Sequence, residues 1–375
     1  MSKKVVFLYF YGLHQLYHSA MTSMELGSMS KDIEVVCLSC NQEHTTILNE
    51  IKRFYPNTQT KIIEITQPFK YKYLNFKKKS YPSVNAMVRR AKKYLIDADL
   101  IITTSHGTPK MVRKFGITKP LLVYQYHGVG DRKYGFDPNF KRFDFMLLPG
   151  RYHQNRLLEE KIIKKEHTEI IGWPKLDYID KLDVPSFFNN NNQTVLYTPH
   201  WDVELTSYNV YAKFVLDYFS NRKDLNLIFA PHLLIKHWHF TYKYNINYLH
   251  YNSDNIRVDF GSVHGTDGSY LKYADLYIGD VSSMVFEFIA IKPRPCLFLN
   301  AHKVEWNNNV DYRFWEFGNV VECVDEFDQK LNISTNNYAF TDLQTKRVRQ
   351  YVDITEEKPS MRAARAIYSY LFHNV

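Results

Sequence analysis

The feature that most constrains the fold is a series of short apolar runs, several of them apolar throughout, that alternate with longer amphipathic segments. From residue 5 onward these runs are VVFLYF, IEVVCLSC, KIIEI, DLIITTS, LLVYQYHG, FDFMLLP and EIIGWP. A strand that helices cover on both faces is apolar at every position. A strand with one solvent-exposed face alternates between apolar and polar residues. The pattern therefore predicts an α/β fold in which parallel strands form a doubly wound, Rossmann-like sheet.

The same pattern begins again after a polar, Asn-rich segment at residues 184–194. The second series consists of TVLYTP, LNLIFAPH, NIRVDF, DLYIGD and PCLFLN. A chain of 375 residues exceeds the size at which a single hydrophobic core usually keeps growing. We therefore expect two α/β domains of similar size, at residues 1–183 and 195–375, joined by a linker at residues 184–194.

Several classes of protein have no support in the sequence. There is no run of about eighteen uncharged apolar residues, and the N-terminus lacks the apolar core and the cleavage site of a secretory signal. The four cysteines are too few for a disulfide scaffold, and only Cys37 and Cys40 are close in sequence. The motifs GxGxxG, GxSxG and the phosphate-binding P-loop are missing. We expect a cytoplasmic protein that is not a dinucleotide oxidoreductase, a P-loop kinase or a serine hydrolase.

One segment, residues 69–93, is rich in Lys and Arg, contains no acid and has Tyr and Phe between the basic residues. The whole chain has a formal net charge of +9. Aromatic rings settle among lipid headgroups while basic side chains contact anionic lipid, so this segment is a candidate membrane or acceptor surface. Single-stranded nucleic acid or plain solvent are the alternatives, and we expect no nucleic-acid partner. The candidate contact residues are Lys77, Lys78, Lys79, Arg89 and Arg90.

Polar residues follow five of the predicted strands. In parallel sheets, ligands bind outside the carboxyl ends of the strands, so functional residues are expected there. The five groups are Ser105-His106-Gly107, His127-Gly128, Pro199-His200, Pro231-His232 and Asp280-Val281-Ser282-Ser283. Histidine recurs in four of them, which favours a functional placement.

The last of these groups lies where a strand is followed directly by a helix. A helix N-terminus has unpaired N–H groups and the positive end of the helix dipole, and both attract anions. A nucleotide diphosphate would therefore fit beside Ser282 and Ser283. The alternative is that one of these serines only caps the helix, which is the commoner use of serine at such a position.

Two of the histidines are candidates for catalysis. His127 precedes a glycine-containing loop, and an imidazole that titrates near neutral pH can take a proton from an attacking hydroxyl. His232 holds the corresponding place in the second series and would stabilise charge on a leaving phosphate. For each of them, a structural histidine that bonds its own loop is the alternative.

The sequence does not predict a metal site. Asp97 and Asp99 have a spacing that some sugar transferases use to hold a divalent ion, but they precede their strand and so belong to the opposite edge of the sheet. His237 and His239 have no Cys, Asp or Glu close by to complete a ligand set. We expect no cofactor.

Five motifs occur along residues 100–300 in a fixed order. They are Gln125-Tyr126-His127-Gly128 with Lys133, Gly172-Trp173-Pro174-Lys175-Leu176-Asp177, Tyr197-Thr198-Pro199-His200-Trp201, Pro231-His232 and Asp280-Val281-Ser282-Ser283. In this order they resemble the CDP-glycerol glycerophosphotransferases, which build teichoic-acid and related capsule polymers. The resemblance implies two domains of the glycosyltransferase-B type with the active site in the cleft between them.

By this resemblance, His127 would be the base that deprotonates the acceptor hydroxyl, and His232 would assist at the donor phosphate. Ser282 and Ser283 would hold the pyrophosphate, and Glu287 would meet the ribose. The other residues expected to bind the donor are Gly128, Lys133, Pro199, His200 and Asp280.

The implied function is transfer of glycerol phosphate from CDP-glycerol to a hydroxyl of a lipid-linked or polysaccharide acceptor, with release of CMP, at the inner face of the bacterial membrane. The chain departs from the usual family pattern at Ala230, Leu233, Gly279 and Val281. Two alternatives of the same fold are therefore a donor such as CDP-ribitol and a nucleotide-sugar glycosyltransferase. A third alternative, a non-catalytic binder of nucleic acid or an anionic surface, leaves the histidines unexplained.

Overall fold

The structure is a computed structural model. It describes residues 2–67, 83–130, 133–235 and 247–374. Three of the candidate surface residues and the two histidines considered as metal ligands lie outside these ranges, namely Lys77, Lys78, Lys79, His237 and His239.

The first unit of the structure is built on a seven-stranded sheet in the order β3-β2-β1-β4-β5-β6-β7. Every pairing in it is parallel. Its strands are β1 (Lys3–Tyr9), β2 (Ile33–Ser39), β3 (Lys61–Glu64), β4 (Leu100–Thr103), β5 (Leu121–Gln125), β6 (Phe145–Leu148) and β7 (Thr168–Ile170).

Helices lie between these strands along the chain. They are α1 (Leu13–Leu16), α2 (Ala20–Met29), α3 (Gln42–Lys52), α4 (Val84–Leu95), α5 (Thr108–Lys114), α6 (Arg151–Glu159) and α7 (Lys175–Lys181). Short 3-10 helices occur at Lys133–Phe136, Pro138–Arg142 and Lys165–His167.

Helix α4 shows how the sequence pattern forms the layers. Its buried residues are Met87, Val88, Ala91 and Leu95, which recur at helical spacing and pack into the core beside the sheet. The basic residues of α4 occupy the opposite, exposed side. Across the described ranges, no helix has both the length and the apolar character needed to cross a membrane.

The second unit is built on a six-stranded parallel sheet in the order β10-β9-β8-β11-β12-β13. Its strands are β8 (Gln193–Tyr197), β9 (Leu225–Phe229), β10 (Ile256–Val258), β11 (Leu276–Gly279), β12 (Cys296–Leu299) and β13 (Asn319–Val321). Its 3-10 helices are Leu249–Tyr251, Val263–Gly265, Val310–Phe317 and Val324–Glu326.

The remaining α-helices follow in chain order. They are α8 (Tyr208–Asn221), α9 (Ser269–Tyr273), α10 (Met284–Ile291), α11 (Phe327–Ser334), α12 (Thr341–Tyr351) and α13 (Pro359–Asn374). With two doubly wound parallel sheets, the predicted α/β class is confirmed.

The division of the chain differs from the sequence prediction at its C-terminal end. The first unit contains Met1–Lys181 together with Arg349–Val375, and the second contains Leu182–Val348. The prediction had placed residues 349–375 in the second domain. They return to the first unit because α13 packs against α2 and because Tyr351 stacks on Tyr152 with ring centroids 4.1 Å apart.

Each sheet has one place where the strand order reverses. In the first sheet this place lies between β1 and β4, and in the second it lies between β8 and β11. Loops that follow two such strands run in opposite directions and leave a crevice, where ligands of doubly wound sheets bind. The segments after β8 and after β11 are therefore the natural place to look for a ligand site in the second unit.

Candidate active site

The connection between β11 and α10 consists of Asp280–Ser283. Ser283 directly precedes the helix, but its side chain is exposed and makes no capping hydrogen bond. Ser282 is buried, and its Oγ accepts the Met284 N–H at 3.3 Å. Ser282 therefore caps the first N–H of α10, as the alternative interpretation of this pair predicts, and the Val285 and Phe286 N–H groups donate to the Ser282 and Ser283 carbonyls at 3.5 and 3.0 Å. Phosphate binding at this N-terminus stays a prediction.

Asp280 is buried inside the second unit. Its two carboxylate oxygens accept the His200 N–H at 3.1 and 3.0 Å, and Oδ2 also accepts the Ser207 N–H at 2.7 Å and the Ser207 hydroxyl at 2.8 Å. Burial raises the pKa of Asp280 to about 6, although these hydrogen bonds favour the charged form.

The carboxylate connects the segment after β8 to the segment after β11. The expectation that Asp280 binds the donor stays a prediction. A motif shows that an acid is present at this place but does not show which way its carboxylate points.

Two imidazoles lie at the carboxyl ends of β8 and β9. The ring centroids of His200 and His232 are 6.1 Å apart, and the Pro199 carbonyl accepts the His232 N–H at 3.1 Å. Nδ1 of His232 accepts the Leu234 N–H at 3.2 Å, and Nδ1 of His200 accepts the Asp202 N–H at 3.1 Å. An imidazole whose Nδ1 accepts a hydrogen bond carries its proton on Nε2, so both rings are hydrogen-bond donors through Nε2.

His127 follows β5 in the first unit and is half-buried. Its Nδ1 lies 3.0 Å from the Tyr124 hydroxyl. Burial lowers the pKa of His127 to about 4, with a smaller contribution from the His106 ring, while a hydrogen bond to the Thr104 backbone acts in the opposite direction. The imidazole is therefore neutral near pH 7, which is the form that can accept a proton.

Two buried histidines hold the loop after β5. Gly128 has a φ of 82°, a conformation that favours glycine, and its N–H donates to His18 Nδ1 at 3.3 Å. The same Nδ1 accepts the Trp173 indole N–H at 3.0 Å. At the other end of the loop, His153 Nε2 lies 3.0 Å from the Gly130 carbonyl.

Neither His18 nor His153 was a candidate in the sequence analysis. Burial lowers the pKa of His18 well below its usual value and that of His153 to about 4, so both rings are neutral. His18 and Gly128 are 110 residues apart in the chain. No spacing within one segment could therefore have linked them.

The other predicted residues have the following places. Lys133 begins a 3-10 helix, and its side chain is not among the described ones. Glu287 is buried in the first turn of α10. Arg89 and Arg90 are exposed on α4, where Arg90 Nε donates to the Thr66 carbonyl. Within the ranges that the structure describes, no group of three or more His, Cys, Asp and Glu side chains is arranged to hold a metal ion.

Comparison of the chain with models of known protein families identifies its family. The sequence model of the CDP-glycerol:poly(glycerophosphate) glycerophosphotransferases matches residues 39–369. The chain belongs to this family. The resemblance drawn from the five motifs is thereby confirmed. Among glycerophosphotransferase relatives, the teichoic acid poly(glycerol phosphate) polymerase of Staphylococcus epidermidis is 24% identical over 220 residues, which is 52% of this chain and 28% of that protein's length.

Solved structures agree with this assignment at the level of the fold. The wall teichoic acid polymerase TagF superposes with a TM-score of 0.63 and 14% identity, over 99% of this chain and 89% of that one. A UDP-N-acetylglucosamine 2-epimerase, described as putative, from Listeria monocytogenes reaches a TM-score of 0.62 at 12% identity, over 100% and 98% of the two chains. These likenesses confirm that the chain has the predicted glycosyltransferase-B type of fold.

Proposed function

We propose that the chain transfers glycerol phosphate from CDP-glycerol to a hydroxyl of a teichoic-acid-type acceptor and releases CMP. The observation that carries the proposal is the reversal of strand order between β8 and β11. The N-terminus of α10 and the ring of His200 both lie beside this reversal. The helix N-terminus suits a phosphate, and the Nε2–H groups of His200 and His232 suit the charge that develops on a leaving phosphate. Family membership supports CDP-glycerol as the donor.

In the proposed reaction, the acceptor oxygen attacks the β-phosphorus of CDP-glycerol. A new P–O bond forms while the bond between that phosphorus and the CMP oxygen breaks, and CMP leaves with the electron pair. His127 takes the proton of the acceptor hydroxyl. His232 and the N-terminus of α10 stabilise the negative charge on CMP, so catalysis consists mainly of alignment and charge stabilisation.

The neutral state of His127 supports its role as the base. Because the Tyr124 hydroxyl and the Thr104 backbone already contact the ring, an acceptor hydroxyl would replace one of these two partners.

The exposed side of α4 supports an acceptor that is presented at an anionic membrane surface on the cytoplasmic side. Arg89, Arg90, Lys92 and Lys93 are all exposed there, and α4 contains no acid. Basic side chains of this kind attract anionic lipid. Vesicles of anionic phospholipid should bind the wild-type chain, and charge reversal at Arg89 and Arg90 should weaken that binding without changing turnover on a soluble acceptor analogue.

A second variant tests the neighbouring segment in the same assay. Neutralising Lys77, Lys78 and Lys79 should also lower vesicle binding. Unchanged binding in both variants would leave these basic residues as solvated surface and would remove the membrane contact from the proposal.

The central experiment measures nucleotide release from three donors. The purified chain is incubated with an acceptor and with CDP-glycerol, CDP-ribitol or UDP-N-acetylglucosamine, and CMP or UDP is separated by anion exchange while mass spectrometry identifies the product. CMP release from CDP-glycerol is the expected result. Faster turnover of CDP-ribitol would move the donor to another CDP-alcohol, and UDP release alone would make the chain a glycosyltransferase.

Substitution of the two catalytic candidates tests their roles. His127→Ala and His232→Ala should each lower CMP release by about 100-fold or more, the usual range for acid–base and charge-stabilising groups. His167 and His250 are exposed histidines of the first and second unit, so His167→Ala and His250→Ala are matched controls that should keep full activity. Near-normal turnover in either test variant would remove that residue from the mechanism.

A further inference from the structure

The side chain of Tyr124 is packed in the core of the first unit and contacts the ring of His127 through its hydroxyl. Tyr124 belongs to β5 and is only 1% exposed. Its ring packs against Phe140 and Phe143, with ring centroids 4.7 and 5.1 Å apart. The hydroxyl lies 3.0 Å from Nδ1 of His127. Because packing fixes the tyrosine ring, this contact holds the imidazole in one orientation.

The contact decides which nitrogen of His127 can react. A neutral imidazole carries its proton on one ring nitrogen and can accept a proton only on the other. Nδ1 faces the buried tyrosine hydroxyl, so an acceptor hydroxyl has to approach Nε2. For Nε2 to take a proton, Nδ1 must carry the ring proton and donate it to Tyr124, and a tyrosine oxygen can accept such a hydrogen bond.

A tyrosine suits this task because it is uncharged. A carboxylate beside Nδ1 would favour the charged imidazole and raise its pKa. The pKa of His127 is shifted by burial, by the Thr104 backbone and by the His106 ring, and none of these is an acid. The ring of His18, whose centroid is 6.3 Å away, is also neutral near pH 7, because burial lowers its pKa. The base is therefore oriented and still able to accept a proton.

We propose that Tyr124 is a positioning residue for His127: its hydroxyl oxygen accepts the Nδ1 proton, so that Nε2 is presented to the acceptor hydroxyl. The inference rests on the proposed function, because it takes His127 as the base. In the reaction, the acceptor O–H bond breaks, its proton goes to Nε2 and its electron pair forms the new P–O bond. Tyr124 is too deeply buried to touch the acceptor, and its contact with Nδ1 is kept throughout.

Tyr124→Phe keeps the ring and removes the hydroxyl, so it tests the positioning role. We expect kcat to fall about 10-fold, which is the rate equivalent of one hydrogen bond. KM for CDP-glycerol should change less than about 2-fold, because a misaligned base slows the chemical step and leaves donor binding intact. Tyr126 is a matched control, because it is a buried neighbour whose hydroxyl has no hydrogen-bond partner among the described residues.

The control variant Tyr126→Phe should keep both kcat and KM. Two outcomes of the kinetic comparison would overturn the proposal. The first is an unchanged kcat in Tyr124→Phe. The second is an equal fall of kcat in both phenylalanine variants, which would indicate general loosening of the core around β5 rather than loss of one contact.

The tautomer of His127 has a test that does not depend on turnover. In a chain labelled with nitrogen-15 histidine, His127→Gln identifies the two ring resonances of His127, and their chemical shifts at pH 7 show which nitrogen carries the proton. The proton should be on Nδ1 in the wild type and should move towards Nε2 in Tyr124→Phe. A wild-type proton on Nε2, or an unchanged tautomer in the variant, would refute the proposal. If the wild-type chain releases no CMP from any donor, the proposed function fails, and these resonances still decide whether Tyr124 sets the tautomer.

Discussion

Acidification from pH 7 to pH 5 should weaken the first unit while the second unit gains stability from its buried acid. His44 and His153 are fully buried in the first unit, and burial lowers the pKa of each to about 4. In the unfolded chain, a histidine has a pKa of about 6.5. Below that pH the unfolded chain binds protons that the folded unit does not, so the free energy of unfolding falls as the pH falls.

The size of the effect follows from the two pKa values. At pH 5 each of these histidines lowers the free energy of unfolding by about 2 kcal/mol, and the pair by about 4 kcal/mol, which is comparable to the whole stability of many domains. His18 and His127 act in the same direction, because burial lowers the pKa of both. Burial raises the pKa of Glu25, Glu43 and Asp177 in the same unit, and these three acids offset part of the loss. Asp280 in the second unit acts in the opposite direction. Because its pKa is raised to about 6, the folded form binds a proton at a higher pH than the unfolded chain does, and between pH 7 and pH 5 this binding adds about 1 kcal/mol to the free energy of unfolding.

The assay can follow the two units separately. Trp173 is the only tryptophan in the residues of the first unit, and the other four are in the second. Labelling with 5-fluorotryptophan gives each unit its own fluorine resonances, and Trp173→Phe identifies the one from the first unit. In urea titrations at pH 7 and pH 5, the unfolding midpoint reported by Trp173 should fall, and the midpoint reported by the other tryptophans should not.

A variant checks the assignment to the buried rings. His153→Gln keeps a side-chain N–H for the Gly130 carbonyl but removes the titrating group, so the pH dependence of the first unit should shrink by about 2 kcal/mol. Parallel loss of stability in both units, or a change of less than about 1 kcal/mol in the first, would refute the reasoning.

Three further predictions concern stability and donor binding. Arg294 donates to four backbone carbonyls at the C-terminal ends of α9 and α10. In urea titrations, Arg294→Met should therefore lower the free energy of unfolding of the second unit by about 3 to 5 kcal/mol. A loss below about 1 kcal/mol would contradict this prediction. Asp280→Asn replaces an acceptor oxygen with an amide N–H, which cannot accept the hydrogen bonds from Ser207. In initial-rate assays, KM for CDP-glycerol should therefore rise about 10-fold. An unchanged KM would show that the hydrogen bonds of Asp280 are dispensable. Gly150→Ala places a Cβ 2.6 Å from the Tyr351 carbonyl carbon and should lower the melting temperature of the first unit by several degrees. Gly265→Ala, with open space around it, should leave the melting temperature of the second unit unchanged.

Most of the central strands were predictable because they are apolar on both faces, and that pattern needs no knowledge of the partner. The place of α13 was not predictable, because an apolar stripe on a helix does not state which sheet it covers. The same limit applies to the histidines. His127 follows a strand and was found from its position, whereas His18 acts on Gly128 from a distant part of the chain. The role of Asp280 also depends on burial, which appears only once the segments after β8 and β11 meet.

The return of the chain to the first unit has a consequence for folding during synthesis. The second unit is one continuous stretch, Leu182–Val348, and can close as soon as it leaves the ribosome. The first unit is made of two stretches, and α13 supplies the buried residues Ala363, Ala364, Ile367 and Leu371 that pack near α2. The first unit therefore stays incomplete until residues 349–375 have left the ribosome, and its uncovered apolar surface is the part that chaperones would have to protect.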